Sequence, residues 1–221
     1  MMTKAKRFFS NALASLMLAG LCLCFATSVS NAQCPTDIPP TSGPGTTWSG
    51  PFSADLSIAS GCVITYHWCQ RTINGEIQRY IEDFGPTPGN WGSGCDAVWK
   101  NVLDAIREYL FQTAPTSDCD PGNVKTVVSV FNGSCAQMQI PTGGSYPVCY
   151  MCGGAYCKKK CELCKDANGH NQETNCELTV INTADCDAIS SWSTLTVSDV
   201  STNSWGYNLN QCYLIGCDSN P

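Results

Sequence analysis

Five cysteines fall within the sixteen residues Cys149 to Cys164, in the run CYMCGGAYCKKKCELC, and the whole chain carries 17 in 221 residues. Sulfur at this density serves as metal ligand, redox centre or covalent staple. The choice turns on the compartment, because thiols pair and persist as disulfides only in oxidising surroundings.

The first residues bear on the compartment. Lys4, Lys6 and Arg7 precede an apolar stretch from Ala12 to Phe25, and Ser30 and Ala32 supply small residues before Gln33. That layout predicts a secretory signal peptide over residues 1–32. Its removal takes away three positive charges and two cysteines. The formal charge, −6 for the whole chain, becomes more negative, and an odd number of cysteines is left. An acidic chain argues against nucleic acid as a partner. No membrane span is expected after cleavage, and the expected location is secreted: extracellular, periplasmic or on the cell surface.

Staples are therefore favoured over a metal cage. Cys149-x-x-Cys152 and Cys161-x-x-Cys164 together offer four thiolates, the donor set of a tetrahedral zinc site. The eight residues between the pairs are short for such a site, and thiolates outside a cell compete with oxidation. A redox Cys-x-x-Cys lacks its usual βαβ setting here. Gly153 and Lys165 stand where haem attachment requires histidine. The disulfide candidates are Cys62, Cys69, Cys95, Cys119, Cys135, Cys149, Cys152, Cys157, Cys161, Cys164, Cys176, Cys186, Cys212 and Cys217. Cys34 is the candidate free or interchain thiol. It lies in a Pro/Gly-rich N-terminal arm over residues 33–51, and the alternative is that it ties this arm to its own domain.

Residues 52–221 read as a single disulfide-rich domain. Cys62–Arg71 alternates in the manner of a strand, and Asn74-Gly75 is a strong hairpin signal with Glu76–Phe84 as the return. Trp99, Val102, Leu103, Ile106, Tyr109 and Leu110 follow helical spacing, which predicts one amphipathic helix over about 96–112 with Asp96 as its cap. Asn123–Ile140 reads as a second hairpin turning at Asn132-Gly133. Asn132 also begins a glycosylation acceptor triplet, although its role as a turn residue is the simpler reading. Residues 155–180 read as a third hairpin around Asn168-Gly169, although Cys157, Cys161 and Cys164 would also share one face of a helix. The tail before Cys217 alternates as a last strand. The expected class is α+β, mostly antiparallel β-hairpins with one helix, stapled by disulfides.

The sequence assigns no catalytic residue and no cofactor. There are two histidines: His67 reads as a half-buried strand residue, and His170 as loop polarity. No nucleophile elbow, His-Glu-x-x-His or phosphate loop is present. Asp118-Cys-Asp120-Pro-Gly122 opens like a calcium loop, but Ser129 stands where the closing Glu belongs. Lys158-Lys159-Lys160 reads as a solvated face. Three functional readings follow. The first is a secreted or surface binding or structural module, with Trp48, Trp91 and Trp205 as contact rings and a polysaccharide, a surface protein or further copies of itself as partner. The second is a secreted hydrolase using a carboxylate pair from Glu82-Asp83, Asp118/Asp120 or Asp185/Asp187. The third is a metal-binding protein using four cysteine thiolates.

Overall fold

The computed structural model describes residues 34–35, 47–59, 62–87, 95, 97–140, 146–182, 184–188, 192–201 and 211–217. All lie in the compact unit formed by residues 33–221. Strands make up 58% of the described residues, so the domain is mostly β with a small helical part.

The strands are β1 (Ser49–Ala59), β2 (Cys62–Ile73), β3 (Glu76–Pro86), β4 (Thr126–Gln139), β5 (Val148–Lys165), β6 (Asn171–Ile181), β7 (Asp187–Ala188) and β8 (Cys212–Leu214). Helix α1 (Trp99–Gln112) lies between β3 and β4, and the five-residue α2 (Val197–Ser201) between β7 and β8. Strands β1, β2 and β3 run antiparallel in sequence order. The β2–β3 turn has Asn74 at φ 51° and Gly75 at φ 80°, the paired left-handed conformations of a two-residue hairpin turn. The expected Asn168-Gly169 loop likewise joins β5 to β6. There Asp166 accepts from Gly169 N, and its own N–H donates to His170 O.

The second expected hairpin is not formed. Strand β4 runs straight through Asn132-Gly133, with only a bulge between Gly133 and Cys135. Asn132 is 1% exposed. It accepts from Arg107 and donates to Gly133 O, so burial withdraws it from any glycosylating enzyme. Because β4 does not fold back on itself, it pairs parallel with β3, Ile77–Tyr80 against Val128–Phe131, and α1 becomes the crossover between them. Strands β7 and β8 are also parallel. The sheet is therefore mixed rather than built from hairpins alone.

Strand β5 pairs with β4 along most of its length. Its first residues also wedge between the ends of β3 and β4: Tyr150 faces both Asp83 and Gln137, and Cys149 both Phe84 and Met138. Gly85 makes this wedge possible. A Cβ there would sit 2.8 Å from Pro147 O.

The pleat divides the apolar residues between two faces. Ile64, Tyr66, Ile81 and Phe84 join Val128, Val130, Met138 and Leu163 against α1, which buries Trp99, Val102, Leu103, Ile106, Leu110 and Phe111. Each such side chain contributes about 1.5–3 kcal/mol by leaving water. A smaller cluster of Tyr80, Phe131 and Tyr156 is covered in part by Trp48.

The ends of α1 are held by the sheet and by the chain after β7. Asp96 lies outside the described residues. The N-cap position is Val98, which makes no side-chain capping bond, and Trp99 N donates instead to Leu195 O. At the C-terminus Arg79 of β3 donates to Leu110 O and Thr113 Oγ1. Asn171 of β6, 4% exposed, donates to the carbonyls of Phe111, Gln112 and Ala114 at 2.8, 3.1 and 2.9 Å. The last carbonyls of a helix have no partner within the helix, so these two side chains fix the register of α1 on the sheet. Asn171→Ala leaves buried carbonyls without a donor and is expected to lower unfolding free energy by about 2–3 kcal/mol. Urea unfolding with the disulfides intact measures the loss; an unchanged midpoint would remove the capping role.

Candidate functional site

The structure joins Cys34 to Cys69, Cys62 to Cys95, Cys119 to Cys164, Cys135 to Cys186, Cys152 to Cys212, Cys157 to Cys217 and Cys161 to Cys176. This corrects two expectations. Cys34 is neither free nor interchain; the alternative reading holds, and it ties the start of the arm to β2. Cys149, expected in a bridge, is the one free cysteine among the described residues. The register gives the reason: Cys149 lies between Phe84 and Met138 inside the main core, with no exposure. Burial, and secondarily the nearby Asp83, push its thiol well above the ordinary range, so it stays protonated and unreactive. The four-thiolate metal reading falls with this pairing, since Cys152, Cys161 and Cys164 each bond to a partner outside the set. Among the described residues the one group with metal-ligand spacing is Cys161, Glu173 and Cys176, and there the two sulfurs are joined to each other. A protein beginning at Gln33 should show no thiol reactive toward Ellman's reagent when native and one after unfolding. Cys149→Ala should abolish the latter, and a thiol titrating in the native state would contradict the assignment.

A bulge gathers ionisable groups on the face opposite α1. Between Trp68↔Ile81 and His67↔Asp83, β3 advances by two residues while β2 advances by one. The extra residue is Glu82, and a bulge of this kind directs neighbouring side chains to the same side. Asp83, 2% exposed, bonds His67 Nδ1 at 2.6 Å through Oδ1, while its Oδ2 is buried without a partner among the described residues. Glu82 approaches the Cys34–Cys69 bridge, 3.9 Å from Cys69 Sγ. Ser53 of β1 stands in register opposite His67. Of the carboxylate pairs named from sequence, Glu82 and Asp83 thus share a face with a histidine. The Asp118 and Asp120 carbonyls accept from Asn123, and this segment is a turn. Asp187 bonds Gln211.

The bond to Asp83, followed by the charges of Asp83 and Glu82, raises His67 above its ordinary 6.5 against the opposing effect of burial. The bonded pair can hold a proton at the surface, with Nε2 outside the Asp83 bond. Because the folded state binds this proton more tightly than the unfolded chain, the pair stabilises the fold fully below pH 6.5. That contribution disappears as pH rises through the raised value. Asp83→Asn should return the His67 ring protons toward an ordinary NMR titration. A titration unchanged by the substitution would show that Asp83 does not set it.

The aromatic rings fall elsewhere than expected. Trp48 is not a contact ring: it packs on Tyr80 and Phe131 and lies under Arg71, whose guanidinium carbon is 4.2 Å from the ring centroid. Trp91 and Trp205 lie outside the described residues. Among the described residues the large exposed rings are Phe52 (41%) and Tyr109 (37%). They are linked through Trp68 and Tyr66, with centroids 5.5, 5.2 and 6.1 Å apart along the row Phe52–Trp68–Tyr66–Tyr109. The alternation of Phe52, Ala54, Leu56 and Ile58 against Ser53, Asp55 and Ser57 was the available signal for β1, and hence for Phe52 on the helix-side face. The lysine run is not a bare solvated face either. Lys158 and Lys160 pair with Glu76, and Lys159 with Glu173.

Among the described residues no helix is long and apolar enough to cross a membrane. No family model, curated protein or solved structure matches the chain. Seven disulfides within one domain fit a disulfide-rich extracellular module.

Proposed function

We propose that this chain is an exported, disulfide-stapled binding module whose contact surface is the aromatic row ending at Phe52 and Tyr109. The observation that carries this reading is the exposure of two large rings at the ends of a packed row, Phe52 on β1 and Tyr109 on α1. Flat rings offer wide apolar contact with few rotatable bonds, so little entropy is lost when a ligand covers them. The scaffold beneath is cross-linked on several sides, and each bridge contributes roughly 2–4 kcal/mol by restricting the unfolded chain. The platform is thus set before any ligand arrives.

The acidic charge selects among ligands. A polyanion would be repelled at long range, whereas a neutral or basic polysaccharide can lay the apolar faces of its sugar rings on Phe52 and Trp68. Tyr66 adds no polar contact of its own. Its hydroxyl is buried without a partner among the described residues, and burial raises its pKa.

Titration with cello-, xylo- and chito-oligosaccharides should change the tryptophan emission for at least one series. Phe52→Ala should weaken that binding by about tenfold, the upper range for one aromatic contact. No response from any of the three, or equal affinity in the variant, overturns the assignment.

A further inference from the structure

The Cys161–Cys176 bridge differs from the other six in its surroundings. It joins neighbouring strands β5 and β6, and β6 pairs with no other strand. Cys161 is fully buried while Cys176 is exposed. Both sulfurs lie against one carboxylate oxygen: Glu173 Oε2 is 3.4 Å from Cys161 Sγ and 3.5 Å from Cys176 Sγ. Lys159 Nζ holds that oxygen at 2.6 Å and itself lies 4.9 Å from the Phe111 ring centroid. Glu173 Oε1 is buried without a partner among the described residues. The loop closed by this bridge spans 15 residues, against 33 to 60 for the others, so it restricts the unfolded chain least.

We propose that Cys161–Cys176 is a thiol–disulfide exchange site, with Glu173 as its acid–base group and Lys159 as a positioning residue. The co-reactant is a thiol. Its thiolate attacks the exposed Cys176 Sγ. The Sγ–Sγ bond breaks, its electron pair passes to Cys161 Sγ, and Glu173 delivers a proton there. Cys176 is left in a mixed disulfide with the incoming sulfur. A second thiolate attacks that incoming sulfur, releasing a small disulfide and the Cys176 thiolate, which takes up a proton. Two thiols are oxidised to one disulfide and the protein bridge is reduced to two thiols. Alternatively, the Cys161 sulfur, giving its proton back to Glu173, recloses the bridge and expels the first thiol. The leaving sulfur sits in a buried site, where proton delivery matters most. Burial raises Glu173 above the usual carboxylate range; Lys159 opposes the rise, and Glu108 of α1, a second acid facing the same carboxyl, adds to it.

The test needs only the protein itself. Limiting reduced glutathione in one arm, and a short unstructured peptide with one reduced cysteine in the other, are quenched by alkylation and mapped by mass spectrometry. Cys161 and Cys176 should become alkylated about tenfold faster than any other pair, in keeping with an accessible and assisted disulfide. The arm that reacts identifies whether the thiol is a small molecule or a protein. Glu173→Gln should slow this step about tenfold and flatten its pH dependence, with the other six bridges intact, while Glu173→Asp restores part of the rate. If in both arms the wild-type bridge reacts no faster than the other six, the exchange site is wrong whatever the variants do. An unchanged rate and pH profile in Glu173→Gln removes the acid–base role. Neither result bears on oligosaccharide binding at Phe52.

Discussion

Strand β5 is the covalent hub of the molecule. Four of its five cysteines leave it for other segments: Cys152 and Cys157 to the C-terminal stretch at Cys212 and Cys217, Cys161 to β6, and Cys164 to the loop at Cys119. Each of these segments has little hold of its own. Strand β8 is three residues long, β6 exposes most of its length, and the Cys119 loop is exposed. Apolar burial against α1 organises the centre of the sheet, and the bridges attach the margins that burial does not reach. This division explains why a chain large enough to form a core still uses so much sulfur. The fifth cysteine, Cys149, belongs to the centre and behaves as a small apolar residue there.

The second face of the sheet is held differently. Glu76 accepts from Ser129 at 2.6 Å and from Lys158 at 3.0 Å, and Gln78 bridges Glu76 to Arg71. Desolvation alone would raise the Glu76 carboxyl, but these donors outweigh it and hold it below the usual range. Arg71 in turn caps the Trp48 ring, and Cys34 is bonded to Cys69 two residues earlier in β2. The polar network and the aromatic cluster thus close over each other. The cost of burying the charges is offset because each has a hydrogen-bonded partner.

Where local chemistry decided the backbone, the sequence was readable. Asn74-Gly75 and Asn168-Gly169 turn where the dipeptide itself stays exposed, so nothing competes with its turn preference. The same dipeptide at Asn132-Gly133 does not turn, since Val128, Val130 and Phe131 before it and Cys135, Ala136 and Met138 after it are all drawn into the interior. Tertiary burial overrides a turn preference, and no local rule reports that. Strand β1 was legible too: only its first three residues fall in the Pro/Gly-rich arm, and the alternation from Phe52 to Ile58 is clean. The Thr196–Asp199 reciprocal cap that opens α2, with bonds of 2.9 and 3.2 Å, is likewise written in the local spacing. Disulfide partners were beyond reach, because pairing depends on which strands lie side by side. The His67–Asp83 bond was hidden for a similar reason: it needs the bulge at Glu82, and a bulge has no signature in residue spacing.

The Phe52 end of the aromatic row and the Cys161–Cys176 bridge both lie at open margins of the sheet, and this follows from how such margins are handled. An unpaired edge invites another strand unless something disrupts it. Strand β1 carries register shifts near both ends. Strand β6 carries Glu173 and Glu177, a shift opposite Lys160–Glu162, and a cross-link at Cys176. These features discourage continuous strand addition while leaving side chains exposed: Phe52 on one margin, Cys176 and Val180 on the other. Interior strands β3 and β4 bury most of their residues. The β1 and β6 margins carry different chemistry, because an aromatic ring, Phe52, is exposed on one and the Cys161–Cys176 bridge on the other.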